Sequence, residues 1–375
     1  MIPYSHQSIG EDDIKAVVDV LRSDFLTQGP KVGEFERALA KEAGAKFAVA
    51  FSNGTAALEA AYFAAGLKKG DEVITTPLTF AATSNAALWS GAKIVFADIE
   101  EGSGNIDPKE VEKKITPRTR AIVPVDYSGL PAKLDELKVL AKKHNLILLE
   151  DSAHALGASY KGKKIGGIAD MTMFSFHPVK SIATGEGGAI ATNNKDFYEK
   201  LCLYRSHGIT KDIKKLETSP AGDWYYEMQE LAHNYRMTDM QAALGITQLK
   251  KLGKFIVARK KIVARYNEAF KNNKNIILPK EYKGASSSWH LYPLRLKDNS
   301  KRAEVFKKLR DAGIGVQVHY IPVYWHPYYR KLGYKKGLCS SAEKFYESEI
   351  SIPIFPGLTQ KYQQFVIEKI QGITG

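Results

Sequence analysis

The sequence contains no stretch of about twenty consecutive apolar residues, which a helix needs in order to cross a membrane. Cysteine is scarce, since Cys202 and Cys339 are the only two, and they lie at no spacing typical of a metal site or a redox pair. We therefore expect two free buried thiols in a reducing compartment and no metal site. The N-terminus lacks a basic region followed by an apolar segment, so no secretory signal is indicated. These absences predict a soluble, cytoplasmic protein.

Basic residues outnumber acidic ones, yet they form no single stripe. The 54 Lys and Arg residues against 41 Asp and Glu residues give a formal charge of +13. The lysines are spread along amphipathic segments such as KVLAKKHN and KKLGKF, a distribution typical of solvated surface. We therefore expect no nucleic-acid partner and no membrane partner, and only a modest effect of charge on the encounter with anionic ligands.

Short apolar runs bounded by turn residues recur between positions 47 and 192. The seven runs are KFAVAF, DEVITTP, KIVFADI, RAIVPVDY, LILLED, MTMFSF and GGAIAT. Helical patterns lie between them, including TAALEAAYFAAGL and AKLDELKVLAKKHN, and each is long enough to return the chain to a parallel strand. The sequence therefore predicts an α/β fold with a mostly parallel sheet flanked by helices.

From about Met237 onward the pattern changes. Two long helices are predicted, MQAALGITQLKKL and KFIVARKKIVARYNEAFKNN, followed by a Gly/Ser-rich break and by short alternating strands such as GIGVQVHYI. A chain of 375 residues exceeds what one core usually holds. We expect a large domain over residues 1–240 and a smaller α+β domain over residues 241–375. The N-terminal segment, residues 1–30, carries the helical pattern EDDIKAVVDVLRS and fits against either lobe.

Ligands of open α/β sheets bind beyond the carboxyl ends of the strands, so the residues after each apolar run are the first candidates for a site. In SNGTAALEAA a strand ends at Phe51 and a helix begins, and its free N–H groups can hold a phosphate. An ordinary cap by Ser52 or Asn53 is the alternative. In LILLEDSAHALG the strand delivers Asp151, with His154 three residues later; a helix cap and a satisfied histidine are the alternatives.

The segment MTMFSFHPVKSIATGEGGAIAT carries the most specific signal. Lys180 lies between two buried strands, where desolvation lowers the pKa of its amine and lets it attack a carbonyl. Ser175 can bond a phosphate, and Gly185, Gly187 and Gly188 allow a close approach of the backbone. A lysine amine, a phosphate site and a carboxylate against a pyridine nitrogen are what pyridoxal phosphate (PLP) requires. A surface lysine after a strand is the alternative.

Six motifs occur in an order and at spacings shared with a known family: FSNGTAAL, TTPLTFAATSNA, LLEDSAHALG, FSFHPVKSIATGEGGAI, RSHGI and HNYRMTDMQAALG. Over essentially its whole length the chain resembles the DegT/DnrJ/EryC/StrS sugar aminotransferases, which have the fold-type I architecture of PLP enzymes. The resemblance implies that Lys180 is the Schiff-base lysine and general acid/base, and that Asp151 faces the pyridine nitrogen. It also implies a ring stack by Phe80 and further cofactor contacts at His154, Thr55, Ala56, Ser175 and Asn234.

The resemblance also has a consequence for assembly. In this family the asparagine of the NYR motif reaches the phosphate of the neighbouring subunit, which implies a homodimer with shared active sites and places Asn234 in the partner's site. An exposed asparagine before a helix is more often an ordinary cap, so the interface depends on the resemblance alone.

Other segments narrow the substrate. GNID, VDYSG, SFHPVK, RSHGI, HLYP and GVQVHYIPVY most resemble the family members that make pseudaminic acid precursors. They imply transfer of the amino group of L-glutamate to C4 of UDP-2-acetamido-2,6-dideoxy-β-L-arabino-hex-4-ulose. The candidate contacts to substrate, each of which also fits an ordinary aromatic, polar or histidine position, are Tyr4, His6, Leu26, Thr27, Gln28, Arg205, His207, His319 and Tyr320.

Three alternatives stay open at this point. Amination at C3, or a dTDP or GDP sugar, depends on pocket geometry that a sequence does not contain. A sugar deoxygenase or dehydratase on the same scaffold carries histidine where Lys180 stands, which argues against it. A catalytically idle PLP-fold regulator would ordinarily add a DNA-binding module, and the N-terminal segment is too short for one.

Overall fold

The computed structural model describes residues 1–375 and contains fifteen strands and twelve α-helices. The strands are β1 (Phe47–Phe51), β2 (Glu72–Thr75), β3 (Lys93–Phe96), β4 (Thr119–Val123), β5 (Ile147–Asp151), β6 (Ser159–Tyr160), β7 (Lys163–Lys164), β8 (Met171–Ser175), β9 (Gly188–Thr192), β10 (Ile209–Thr210), β11 (Glu227–Met228), β12 (Ile276–Ile277), β13 (Ala285–Ser286), β14 (Tyr292–Leu296) and β15 (Glu349–Ile352). The helices are α1 (Glu11–Leu21), α2 (Pro30–Ala43), α3 (Gly54–Ala64), α4 (Ala82–Trp89), α5 (Pro108–Lys114), α6 (Leu134–Lys143), α7 (Lys195–Arg205), α8 (Asp239–Phe270), α9 (Arg302–Asp311), α10 (Pro327–Lys331), α11 (Ser340–Ser348) and α12 (Gln360–Thr374). No helix combines the length and the apolar character that crossing a bilayer requires.

The main sheet has seven strands in the order β1-β9-β8-β5-β4-β2-β3. Strand β9 pairs antiparallel with β1 and β8, while all remaining pairs are parallel, so only β9 opposes the others. These are the seven apolar runs of the sequence, and the predicted mostly parallel α/β fold is confirmed. Because six strands run the same way, their carboxyl ends meet at one edge of the sheet.

Alternate residues of each strand enter two separate cores, one on each face of the sheet. In β1, Ala48 and Ala50 pack into the core beneath α2, α6 and α8, while Val49 and Phe51 pack into the core beneath α3, α4 and α7. Strands covered on both faces have no polar side, and this explains why they appear in the sequence as continuous apolar runs rather than alternating ones.

Helix α8 connects the sheet to a second region. Its 32 residues form one helix where the sequence pattern suggested two. Gly253 lies within the helix and does not end it, and a Cβ at this position would meet open space. The N-terminal half adds Ala242 and Leu252 to the core under the sheet, and the C-terminal half adds Tyr266 and Phe270 to a third core with β14, β15, α9 and α12. The domain division at residue 240, which falls inside α8, stays a prediction.

Two N-terminal helices pack against α8. Helix α1 is held by the buried Asp13, whose carboxylate accepts hydrogen bonds from Gln248 Nε2 at 2.8 Å and from Lys251 Nζ at 2.7 Å. Helix α2, which the sequence pattern did not single out, begins with Pro30 in its first turn and ends at Gly44 in the left-handed conformation. The N-terminal segment thus lies against the helix that joins the two regions.

The segment GIGVQVHYI forms no regular strand, although it was predicted as one. It makes isolated bridges instead, from Ile314 to Ile2 and from Gln317 to Ser351. Its alternate residues Ile314 and Val316 both pack into the third core, so the apolar period is present without a continuous ladder. This segment runs beside β15 and carries His319 to the edge of the main sheet.

Candidate functional site

A cavity of about 880 Å³ opens at the carboxyl ends of the parallel strands. The residues after β1, β2, β4, β5 and β8 all contribute to its lining, as expected for an open α/β sheet. Ten of the predicted site residues line it together: Tyr4, Thr55, Ala56, Phe80, Asp151, His154, Ser175, Lys180, His319 and Tyr320.

Lys180 lies on the turn that follows β8. Its backbone N–H donates to His177 O at 2.8 Å, which fixes the turn, and its half-buried side chain reaches the cavity. Removal from water lowers the pKa of the Lys180 amine to about 8, and the negative charge of Asp151 opposes this shift without cancelling it. The amine has no hydrogen-bond partner in the chain, so it is available to react.

Asp151 ends β5 and is almost fully buried. Its carboxyl accepts a hydrogen bond from Thr83 Oγ1 at 2.7 Å and another from the Ala153 N–H at 3.1 Å. Burial raises the pKa of Asp151, while these hydrogen bonds and the Lys180 charge act in the opposite direction. The site therefore places a buried acidic group and a free amine in one cavity.

The first turn of α3 supplies free backbone donors. Asn53 caps the helix, its side chain accepting from the Ala56 N–H at 2.9 Å. The N–H groups of Gly54 and Thr55 have no hydrogen-bond partner in the chain, and they lie at the positive end of the helix dipole. A Cβ on Gly54 would approach Ser175 Cβ at 3.3 Å, so the glycine lets the helix start beside Ser175. This corner suits a phosphate.

The glycine-rich turn before β9 packs against the start of α3. A Cβ on Gly188 would lie 2.6 Å from the Asn53 backbone, so this glycine allows β9 to pack against the start of α3. Neither Gly185 nor Gly187 lines the cavity, whereas Glu186 between them does. The turn packs behind the first turn of α3, and its approach to a cofactor ring stays a prediction.

Aromatic and imidazole rings form the rest of the wall. Phe80 is 65% exposed at the mouth, although such a ring is normally buried, and its centroid lies 6.4 Å from that of Tyr320. Tyr320 and His154 share a hydrogen bond of 3.0 Å between the hydroxyl and Nε2. Burial and the Lys180 charge hold the pKa of His154 well below its usual range, so the ring is neutral. Its Nδ1 is buried and has no partner.

Seven predicted site residues do not line this cavity. His6 is exposed beside a separate groove with Phe355, and Arg205 is held by Glu36 and by Ala50 O. The other five are exposed: Leu26, Thr27, Gln28, His207 and Asn234. Within a single chain, the structure therefore separates these seven from Lys180.

The structure adds residues that the sequence did not reveal. Thr83 bonds Asp151 from 68 positions away, and Glu59 lines the cavity while accepting hydrogen bonds from the hydroxyls of Tyr204 and Tyr235. Thr83 stands within TTPLTFAATSNA, one of the motifs noted in the sequence, so a signal for it was present. No pattern distinguished Glu59 from any other helical glutamate.

The fold and the site define an α/β enzyme of the aminotransferase class. Residues 7–371 match the DegT/DnrJ/EryC1/StrS aminotransferase family. The chain is 45% identical to the UDP-4-amino-4,6-dideoxy-N-acetyl-β-L-altrosamine transaminase of Campylobacter jejuni, over 100% of this chain and 97% of that protein. The chain belongs to the DegT/DnrJ/EryC1/StrS aminotransferase family.

Two solved structures are similar over the full length. Helicobacter pylori PseC, an aminotransferase involved in the biosynthesis of pseudaminic acid, superposes with a TM-score of 0.93 at 37% identity, covering 100% of this chain and 99% of that one. A putative sugar aminotransferase of Streptococcus pneumoniae in its PMP-form gives a TM-score of 0.94 at 33% identity with the same coverage. The same pneumococcal protein is also known in a PLP-form.

Proposed function

We propose that this protein transfers the amino group of L-glutamate to C4 of UDP-2-acetamido-2,6-dideoxy-β-L-arabino-hex-4-ulose, with PLP as cofactor. The observation that carries the proposal is the free amine of Lys180, with its lowered pKa, in one cavity with the buried carboxyl of Asp151. The substrate is supported by the names of relatives at 38–45% identity over nearly the whole chain.

The polar groups of the cavity fit PLP. The Lys180 amine suits its aldehyde, the free N–H groups of Gly54 and Thr55 suit its phosphate, and the Asp151 carboxyl suits its pyridine nitrogen. His154 Nδ1, buried and without a partner, offers a further polar contact. The Lys180 amine, the N–H groups of Gly54 and Thr55, and His154 Nδ1 otherwise have no partner, and this argues that the cavity is built for a ligand with an anionic end.

The chain's own residues have separate tasks in the reaction. PLP supplies an electron sink that stabilises negative charge at the substrate carbon. Asp151 keeps that sink effective by holding a proton on the ring nitrogen, and Thr83 orients its carboxyl. Lys180, which titrates near pH 8, takes a proton from the substrate carbon and returns it as a general base and acid. Phe80, at the mouth of the cavity, is assigned to the face of the cofactor ring.

The cavity has room for both substrates in turn. Its volume of about 880 Å³ lies at the upper end of the usual range for small-molecule sites. One wall of the cavity is not formed by the strand ends. It is lined by Tyr4 from the N-terminal segment and by His319 and Tyr320 from the GIGVQVHYI segment. We assign this wall to the sugar.

The proposed assembly is a homodimer with shared sites. Two exposed segments run beside residues 234–238, because Thr27, next to Leu26, bridges Thr238 and Ser206, next to His207, bridges Asn234. The same segments expose large apolar side chains, namely Phe25, Leu26, Trp224, Tyr226, Met228 and Leu231. Predicted binding residues thus lie beside exposed apolar side chains. This supports an interface at which Asn234 reaches the cavity of the partner subunit.

Cofactor attachment is tested by reduction. The PLP-loaded protein is treated with borohydride and digested, and its peptides are examined by mass spectrometry. We expect a pyridoxyl group on Lys180. The Lys180→Ala variant should acquire none, while keeping the circular dichroism spectrum of the wild type. A pyridoxyl group on another lysine would contradict the assignment.

Transfer of the amino group is tested by isotope labelling. With ¹⁵N-labelled L-glutamate and the L-arabino 4-keto sugar, mass spectrometry should find the label in the UDP-4-amino sugar. The D-xylo sugar is the matched control and should remain unlabelled. Label in the D-xylo sugar, or in a C3-amino or dTDP-linked product instead, would replace the proposed substrate while leaving the aminotransferase assignment intact.

A further inference from the structure

The His319 ring lines the cavity, and only one of its two nitrogens has a hydrogen-bond partner in the chain. Nδ1 lies 2.8 Å from Ser351 Oγ, within the protein. Nε2 has no partner in the chain, and the residue lines the cavity with its ring centroid 5.7 Å from that of Tyr4. Burial and the Lys180 charge lower the pKa of His319 to about 3, so the ring is neutral and exists as one of two tautomers.

Strand β15 holds both the ring and the backbone of His319. Glu349 and Ser351 are two residues apart on this strand, so their side chains lie on the same face. Ser351 Oγ is hydrogen-bonded to Glu349 Oε1, and Glu349 Oε2 accepts from the His319 N–H at 2.8 Å. The three residues form a closed ring of hydrogen bonds behind the cavity wall.

The proton on Glu349 decides which tautomer this arrangement favours. A hydroxyl has one proton, so Ser351 donates either to Glu349 or to His319 Nδ1. An ionised Glu349 takes the Ser351 proton and requires a proton on Nδ1. A neutral Glu349 donates from Oε1 to Ser351, which then donates to Nδ1 and leaves the ring proton on Nε2.

The surroundings of Glu349 favour the neutral form. Its side chain is fully buried, it makes no ion pair, and an unpaired carboxylate is costly to bury. Arg302 acts on it only at longer range, and the neighbouring Tyr127 and Tyr320 are neutral phenols. Burial raises the pKa of Glu349 to about 8.

We propose that Glu349 and Ser351 are positioning residues that hold His319 as the tautomer with its Nε2–H directed into the cavity, where it donates a hydrogen bond to the nucleotide sugar. This inference builds on the proposed function. Phosphate, keto and N-acetyl oxygens of such a sugar are acceptors, so a fixed donor on the wall selects them. The Lys180 amine is reserved for chemistry, and neutral His319 contributes recognition.

The tautomer is read directly by NMR with ¹⁵N-labelled histidine in the full-length protein. The signals of His319 are identified among nine histidines by their loss in His319→Gln. In the wild type we expect the proton on Nε2 and a non-protonated Nδ1. Glu349→Gln should give the same pattern, because its amide oxygen accepts from the His319 N–H and its amide N–H donates to Ser351. Ser351→Ala should shift the His319 Nδ1 signal and leave buried His290 unchanged.

The kinetic test separates the two substrates. Ser351→Ala should lower kcat/KM for the sugar about tenfold. A loss of this size corresponds to the loss of one hydrogen bond between neutral groups. The rate of the half-reaction with glutamate should change by less than about twofold, because His319 is assigned to the sugar. Ser351→Thr keeps a hydroxyl and should restore the rate with the sugar.

Several results would overturn the proposal. A proton on Nδ1 of wild-type His319, or a change of tautomer in Glu349→Gln, would show that Glu349 is ionised. An unchanged Nδ1 signal in Ser351→Ala would show that Ser351 does not hold the ring. Equal losses in both half-reactions would assign Ser351 a general structural role. If the wild type aminates no sugar, the proposed function fails, whereas the NMR pattern still decides the tautomer.

Discussion

At the scale of single residues, the reactivity of Lys180 follows from where its amine lies. A lysine in water has a pKa of about 10.5, and removal from water brings that of Lys180 to about 8. Above its pKa the amine is neutral and nucleophilic. The rate of PLP capture by the cofactor-free protein should therefore rise up to about pH 8 and then level off. Stopped-flow absorbance against pH measures this, with Nα-acetyl-lysine as the control. A rate that keeps rising to pH 10 would contradict it.

Asp151 and Thr83 should affect the half-reaction with glutamate unequally. Asp151→Asn removes the acidic group and should slow the half-reaction by about 10² to 10⁴-fold. Thr83→Val removes only the hydroxyl that donates to Asp151 and should slow it about tenfold or less. The rate at which glutamate bleaches the cofactor absorbance measures both. Equal effects of the two substitutions would refute the assigned roles.

The sequence identified residues that follow a strand and missed residues that reach the site from elsewhere. Asp151 and Lys180 lie together because they stand at the carboxyl ends of parallel strands of one sheet, and the apolar runs predicted those strands, although not their order. Glu349 and Ser351 lie about 170 residues beyond Lys180 in the sequence, and their relation to His319 depends on how β15 packs. No local sequence pattern predicts that packing.

At the scale of elements, local periodicity predicted the main sheet but not the course of every segment. All seven strands of the sheet were predicted, because strands buried on both faces are distinctive in sequence. The break expected near Gly253 is absent, since helix α8 packs on both sides of it and one glycine costs only about 1 kcal/mol. Segment GIGVQVHYI makes only isolated bridges and no continuous ladder, and the extent of strand pairing cannot be deduced from periodicity.

Arg259 should be essential for joining α8 to the second region. It is 2% exposed, and its Nη1 donates to the carbonyls of Trp289, His290 and Ile354 at 3.0–3.2 Å. Arg259→Met leaves these acceptors unsatisfied and should lower the free energy of unfolding by about 3 kcal/mol. Chemical denaturation of the cofactor-free protein measures this.

Arg265 on the same helix, which is only half-buried, provides the control for that substitution. It bonds Gln360 O and Gln364 at the surface. Arg265→Met should change the free energy of unfolding by no more than about 0.5 kcal/mol. If the two variants are equally stable, Arg259 does not hold the regions together.

At the scale of the whole molecule, activity should require the dimer. Leu231 is 86% exposed and Trp224 is 73% exposed, on the segment that leads to Asn234. Leu231→Glu places a charge in the proposed interface, so it should produce monomers and abolish turnover. Light scattering coupled to gel filtration measures the mass.

A matched surface change tests whether the interface is specific. Val139 on α6 is 67% exposed and lies away from the proposed interface segments. Val139→Glu should leave the mass and the activity as in the wild type. A fully active Leu231→Glu monomer would contradict shared active sites.

The central claim is that Lys180 carries a cofactor that accepts an amino group from glutamate and delivers it to one sugar. The most direct measurement is the visible absorbance of PLP-loaded protein during addition of L-glutamate and then of the UDP-linked 4-keto sugars of L-arabino and D-xylo configuration. We predict that glutamate bleaches the band of the lysine-bound cofactor and that only the L-arabino sugar restores it. A band that glutamate leaves unchanged would contradict the aminotransferase account, and recovery with only the D-xylo sugar would contradict the proposed substrate.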